Sequence, residues 1–131
     1  TVWRKLITLC YDLNINAYGS WPKAIYAAST FGVLGGIEAH ADLESAEKCL
    51  ELGQPVVCSI DYAKGKLRGA PLASTKGHLV TLIGIEDEQI LVMDPAAPEK
   101  SRIAREYDRK EFEDAWLHNR GAGYYFCVTS E

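Results

Sequence analysis

Val2, Leu6, Leu9 and Cys10 recur at helical spacing and predict a helix over residues 2–11. Asn14, Asn16, Gly19 and Ser20 then break the pattern and mark a loop. Ser20 stands where it can cap a second helix, with Pro22 in the first turn, where a missing N–H does no harm. That helix is expected to run to about Phe31, with Gly32 as a left-handed stop. VLGGIEAHA reads as a short extended piece. Asp42 caps a third helix, LESAEKCLEL, whose apolar side carries Leu43, Ala46, Cys49 and Leu50 and which ends at Gly53.

From Pro55 onward the pattern changes. PVVCSIDY is rich in β-branched residues and predicts a strand. AKGKLRGAPLASTK, residues 63–76, is a loop of a length that often forms a functional rim or lid. Two apolar strands follow at 78–85 and 89–94, with a polar break between them, and then a basic, irregular piece. Asp108 caps a last helix, Glu111 sits where a capping box needs it, and Tyr107 and Phe112 have the spacing of a hydrophobic staple. GYYFCVT, residues 123–129, is a terminal strand. Helices first and mostly strands afterwards favour an α+β fold over a doubly wound parallel one. The expected antiparallel sheet contains 55–61, 77–85, 89–94 and 123–128.

Composition narrows the function classes. At 131 residues, 47% hydrophobic and 24% charged, the chain suits one globular domain with a real core. A net charge of −4 with no dense basic run argues against nucleic acid or anionic lipid as a partner. No apolar run is long enough to span a membrane. The opening TVWRKLITLC has neither an initiator Met nor a signal-peptide layout, so the chain reads as cut from a longer parent whose compartment stays open. Cys10, Cys49, Cys58 and Cys127 form no CxxC, which leaves a thiol-based metal or redox module poorly supported. They read as free, buried thiols, with three disulfide pairings still open. No cofactor and no metal are expected.

The candidate chemistry lies in KGHLVTLIGIEDEQILVMDPAAP. His78 opens one strand, behind Gly77, which permits close backbone approach, and on a stiff apolar support suited to proton transfer. Asp94 ends the next strand before Pro95, and would accept a hydrogen bond from the imidazole and fix its tautomer. Side chains alternate along a strand, so an even-length turn at 86–89 would put position 78 on the face of 95. The pairing therefore requires an odd turn or a bulge. A nucleophile is harder to find. There is no GxSxG elbow. Cys10 closes a helix pattern, Cys49 is mid-helix, and Cys58 and Cys127 lie in strands, whereas an activated thiolate prefers a helix start. His40 reads as a surface histidine, His118 as a helix C-terminal cap, and Trp21 and Trp116 as core. Asp61 and Tyr62 end a strand where they can line a cleft.

GSWPKAIYAASTFG, LGQPVVCSI, LRGAPLASTKGHLV, VMDPAA and YDRKEFEDAWL, in this order and spacing, resemble the C39-like peptidases of the papain-like cysteine peptidase superfamily over about residues 11–126. The resemblance implies a papain-like α+β fold, with helices packed on an antiparallel sheet. It also implies a Cys–His–Asp site with His78 as general base and Asp94 as its orienter, acting on a peptide or protein substrate. In that family the cysteine sits in a Trp-Cys-Ser/Gly-Pro motif at the start of an upstream helix, and no such motif occurs here. The expectation is one peptidase domain over 1–131 that lacks its N-terminal catalytic helix and is inactive alone. A second reading is a non-catalytic, peptidase-like domain that binds a peptide or protein in the old cleft. A missing helix would uncover apolar surface, so self-association is also expected, with the 2–11 helix filling the vacancy in a neighbour.

Overall fold

The computed structural model describes residues 1–128. In chain order the elements are α1 (Val2–Cys10), α2 (Trp21–Ser29), β1 (Val33–Ala39), α3 (Leu43–Glu51), β2 (Val56–Tyr62), β3 (Thr75–Ile85), β4 (Gln89–Met93), β5 (Ala104–Asp108), α4 (Arg109–Leu117) and β6 (Ala122–Val128). Thr129, the last residue of the expected terminal strand, lies outside the described residues. Two compact units divide the described residues: 37–123, and 1–36 with 124–128.

The larger unit is built on β2, β3, β4 and β5, adjacent in that order and antiparallel at each pairing. Burial alternates along β2, where Val56, Cys58, Ile60 and Tyr62 face inward, as expected of a sheet with one covered face. Val80, Leu82, Ile90 and Val92 extend this face. It packs against Leu43 and Ala46 of α3 and Phe112, Ala115 and Trp116 of α4, each set spaced to share one helix face. Each large side chain buried this way contributes roughly 1.5–3 kcal/mol.

Local signals set the helix ends. Asp42 Oδ1 accepts from Ser45 N–H, and Asp108 Oδ1 from Glu111 N–H, both at 2.9 Å. Such caps are worth about 1 kcal/mol each. The capping box at α4 is not completed, because the Glu111 carboxylate is taken by Arg68, from both its Nε and its backbone N–H. Leu67 is buried, Tyr62 donates to Leu72 O at 3.0 Å, and Arg105 Nη2 donates to Gly69 O at 2.6 Å. The long loop before β3 is thereby pinned as a fixed rim.

Three expectations need correction. The basic, irregular piece contains strand β5, paired with β4 from Gln89↔Asp108 to Met93↔Ala104. AREYD is an edge strand in which only Tyr107 is buried, so it lacks the apolar alternation that would reveal it. His40 is buried, at 7% exposure. Its N–H donates to Gly121 O at 2.8 Å and its ring lies 5.2 Å from that of Trp116. Gly121 has φ +59°, and a Cβ there would lie 2.0 Å from His40 O, so the close approach requires glycine. Trp116 is fully buried and donates to Ala122 O, but Trp21, also expected in the core, is 47% exposed.

In the smaller unit Thr1 caps α1 by accepting from Arg4 N–H at 3.3 Å. None of the α1 residues is fully buried, and Trp3 is 70% exposed. Ser20 precedes α2 without a side-chain cap, Pro22 lies in its first turn, and Gly32 follows at φ +76°.

Candidate functional site

Strand β3 is irregular at two points, and both bear on His78. Near the hairpin, Ile85 pairs with Ile90 and Gly84 with Leu91, but Leu82 pairs with Val92 and Thr81 with Met93. Ile83 is therefore an extra residue in β3. The turn at 86–89 is even in length and closed by Glu86 N–H donating to Gln89 O at 2.9 Å. The bulge at Ile83 reverses the parity that this turn imposes, and so brings positions 78 and 94 onto one face. At the other end, Ile60 pairs with His78 and Tyr62 with Thr75, so Lys76 and Gly77 together face Asp61. Gly77 is a bulge residue whose N–H donates to Thr75 Oγ1. The expected close backbone approach is not its role, since a Cβ there would meet nothing within 4 Å.

Asp94 is fully buried, and every hydrogen bond of its carboxylate is to a donor. Its Oδ1 lies 2.7 Å from His78 Nε2 and 3.0 Å from Ala96 N, and its Oδ2 accepts from the Tyr107 hydroxyl at 2.6 Å. Its own N–H donates to Ile103 O at 2.8 Å. Asp94 is thus a turn starter before Pro95 and a partner of His78 at once. Burial pushes its carboxyl up, but the hydrogen bonds from His78, Tyr107 and Ala96 outweigh this and hold it below the ordinary aspartate value. Burial, and then the bond to Asp94, push the Tyr107 phenol far up, so it stays a donor. Burial and the nearby Asp94 charge raise Tyr62 as well.

An ionised Asp94 can only accept, so Nε2 of His78 carries the proton. In the neutral imidazole Nδ1 is then the basic nitrogen. Nδ1 has no hydrogen-bond partner among the described residues, and the His78 side chain is 15% exposed. The ring is oriented by a buried anion and its free lone pair is available as a base.

All four thiols are free, and neither thiol of the larger unit, Cys49 or Cys58, is set up to be activated by it. Cys58 is buried beside β3, donates weakly to Val56 O, and burial drives its thiol far up. Burial and then Glu38 raise the Cys49 thiol. Cys10 ends α1 and, with Cys127, belongs to the smaller unit.

Asp61 and Tyr62 line two grooves of the larger unit. One, of about 470 Å³, is closed by Lys64, Ser74, Thr75 and Lys76. The other, of about 640 Å³, runs toward Glu111, Asp114 and His118. His118 caps α4 and lies 3.6 Å from Asp114. Among the described residues one group of potential metal ligands gathers, Glu38, His40 and Cys49, which shares no residue with the His78–Asp94 pair.

Tyr107 is the site residue that sequence reasoning missed. As the outer residue of a helix staple it has an apolar explanation that hides its hydroxyl. Pairing of β5 with β4 would have revealed it, because Tyr107 stands opposite Ile90, on the face that also holds Asp94.

The model of the Peptidase_C39 like family matches residues 5–124. No curated protein matches the chain. Among solved structures, the chain is similar to a crystal structure described as a "putative C39-like peptidase from Bacillus anthracis", with a TM-score of 0.62 and 18% identity. The match covers 88% of this chain and 62% of that one, and at this identity the likeness is one of fold.

Proposed function

Because this chain belongs to the Peptidase_C39 like family, we propose that it is the His–Asp part of a papain-like cysteine peptidase, or of a related amide hydrolase, acting on peptides or proteins. The observation that carries the reading is the 2.7 Å contact of Asp94 with His78 Nε2, which leaves Nδ1 as the base. His78 and Asp94 are the catalytic residues, and Tyr107 positions Asp94. In the reaction Nδ1 takes the proton of a cysteine thiol, and the thiolate attacks the amide carbonyl. Asp94 stabilises the imidazolium, which then protonates the leaving amine. A water deprotonated by His78 hydrolyses the acyl-enzyme. Since no cysteine of this chain has the setting of an activated thiolate, the nucleophile belongs to an upstream helix, and residues 1–131 make up one peptidase domain without it.

On this reading the chain by itself does not hydrolyse a peptide panel. Hydrolysis that Cys10→Ala abolishes would overturn the assignment and make Cys10 the nucleophile. The second reading, a non-catalytic peptide-binding domain, predicts that the full protein also lacks hydrolysis while a peptide still binds the grooves beside Asp61 and Tyr62.

The charge of −4 supports a partner other than nucleic acid, and no helix among the described residues is long and apolar enough to cross a membrane. The same reading includes self-association through α1, where Trp3, Leu6, Ile7, Cys10 and Tyr18 line an apolar groove of about 480 Å³. Light scattering of the purified chain is expected to give a dimer that Trp3→Glu dissociates. A clean monomer at high concentration would end this part of the reading.

A further inference from the structure

We propose that Glu38, His40 and Cys49 bind a zinc(II) ion where the end of β1 meets α3. One carboxylate oxygen, one imidazole nitrogen and one sulfur lie within 4.8 Å of one another. Glu38 lies near the end of β1 and His40 directly follows that strand. Ser45 and Cys49 are four apart on α3 and so share a face of that helix. Ser45 Oγ hydrogen-bonds His40 Nδ1. That contact orients the ring and leaves Nε2 toward Glu38, whose Oε2 is 3.8 Å away. A metal-bound histidine has its ring orientation and tautomer fixed by a hydrogen bond at its other nitrogen, and Ser45 Oγ makes that bond here.

Packing keeps this arrangement in place. His40 is buried against Trp116 and anchored through its N–H to Gly121 O. Space beside Nε2 is kept by Gly123, where a Cβ would come within 3.1 Å of that nitrogen and 2.7 Å of Val56 Cγ1. Glu38 is exposed, which gives an ion a way in.

The donor set selects the ion. A mixed sulfur, nitrogen and oxygen set suits zinc(II), with bonds of about 2.0–2.3 Å. The ligand atoms of such a tetrahedron stand roughly 3.3–3.7 Å apart, so only a small closure of the group is needed. Binding converts the Cys49 thiol to a thiolate, and its proton leaves to solvent. Thiolate and carboxylate then balance the two positive charges, with a water in the fourth position. The ion would tie β1 to α3, on residues separate from the peptidase site.

The test uses the purified chain, stripped with a chelator and kept reduced, with zinc(II) and cobalt(II) as probes. One equivalent of zinc is expected to stay bound after desalting, and cobalt(II) should give a sulfur-to-cobalt charge-transfer band. Cys49→Ser should abolish the band and weaken zinc binding at least about 100-fold, while Cys127→Ser leaves both unchanged. Ser45→Ala should weaken zinc binding by about 10–100-fold. If Cys49→Ser does not fold, Glu38→Gln, on an exposed side chain, reads the same ligand set and should weaken binding. Failure to retain zinc, or retention undiminished in Cys49→Ser or Glu38→Gln, would overturn the proposal.

Discussion

Asp94→Ala is expected to destabilise the chain by about 3–5 kcal/mol, because it strips a buried carboxylate from three donors at once. The His78 Nε2–H, the Tyr107 hydroxyl and the Ala96 N–H would all lose their acceptor. Tyr107→Phe removes one of these bonds and should cost about 1–3 kcal/mol. Denaturant titrations of the two variants and the parent chain check the order. A loss under about 1 kcal/mol for Asp94→Ala would mean that the network is not a structural unit. The same network predicts a pH dependence. The Asp94 carboxyl is held below its unfolded value of 3.8, so the folded state binds fewer protons there. Its contribution is complete above that value and is lost as pH falls through the lower, folded one. Asp94→Asn should therefore flatten the acid limb of the stability curve.

On the proposed peptidase reading, in a chain that carries the upstream nucleophile, His78→Ala is expected to lower peptide hydrolysis by on the order of 10²–10⁴-fold. His78 is the only base positioned by a buried carboxylate among the described residues, so no neighbour takes over its proton transfer. Asp94→Asn should lose a comparable factor, because an amide no longer stabilises the imidazolium and can select the wrong tautomer. Tyr107→Phe should shift the pH–rate profile with a smaller loss of rate, since it acts through Asp94. Steady-state rates and their pH profiles in the three variants test this. Full activity in His78→Ala would remove the peptidase assignment of the pair and favour the binding reading.

How far the site can be read from sequence differs from one residue to the next. His78 and Asp94 stand out because each is a polar group at the end of an apolar run. Tyr107 does not, because a tyrosine beside a helix cap already has an apolar explanation. His40 lies in a weakly patterned segment, and its burial depends on Trp116 and Gly121, more than 70 positions away.

Local sequence by itself determined where the helices start and stop. Asp42 and Asp108 cap their helices, Gly32 and Gly53 follow theirs in the left-handed region, and the inward alternation of β2 is written in its β-branched residues. These signals act over about one helical turn or a few strand residues, so a short window contains their cause. Only the tertiary structure decided that β5 pairs with β4, that an extra residue at Ile83 puts His78 and Asp94 on one face, and that Tyr107 and His40 are buried. Register and burial are set by contacts between distant segments. A one-residue bulge reverses the face of every later side chain in a strand, yet leaves almost no trace in the local pattern of apolar and polar residues.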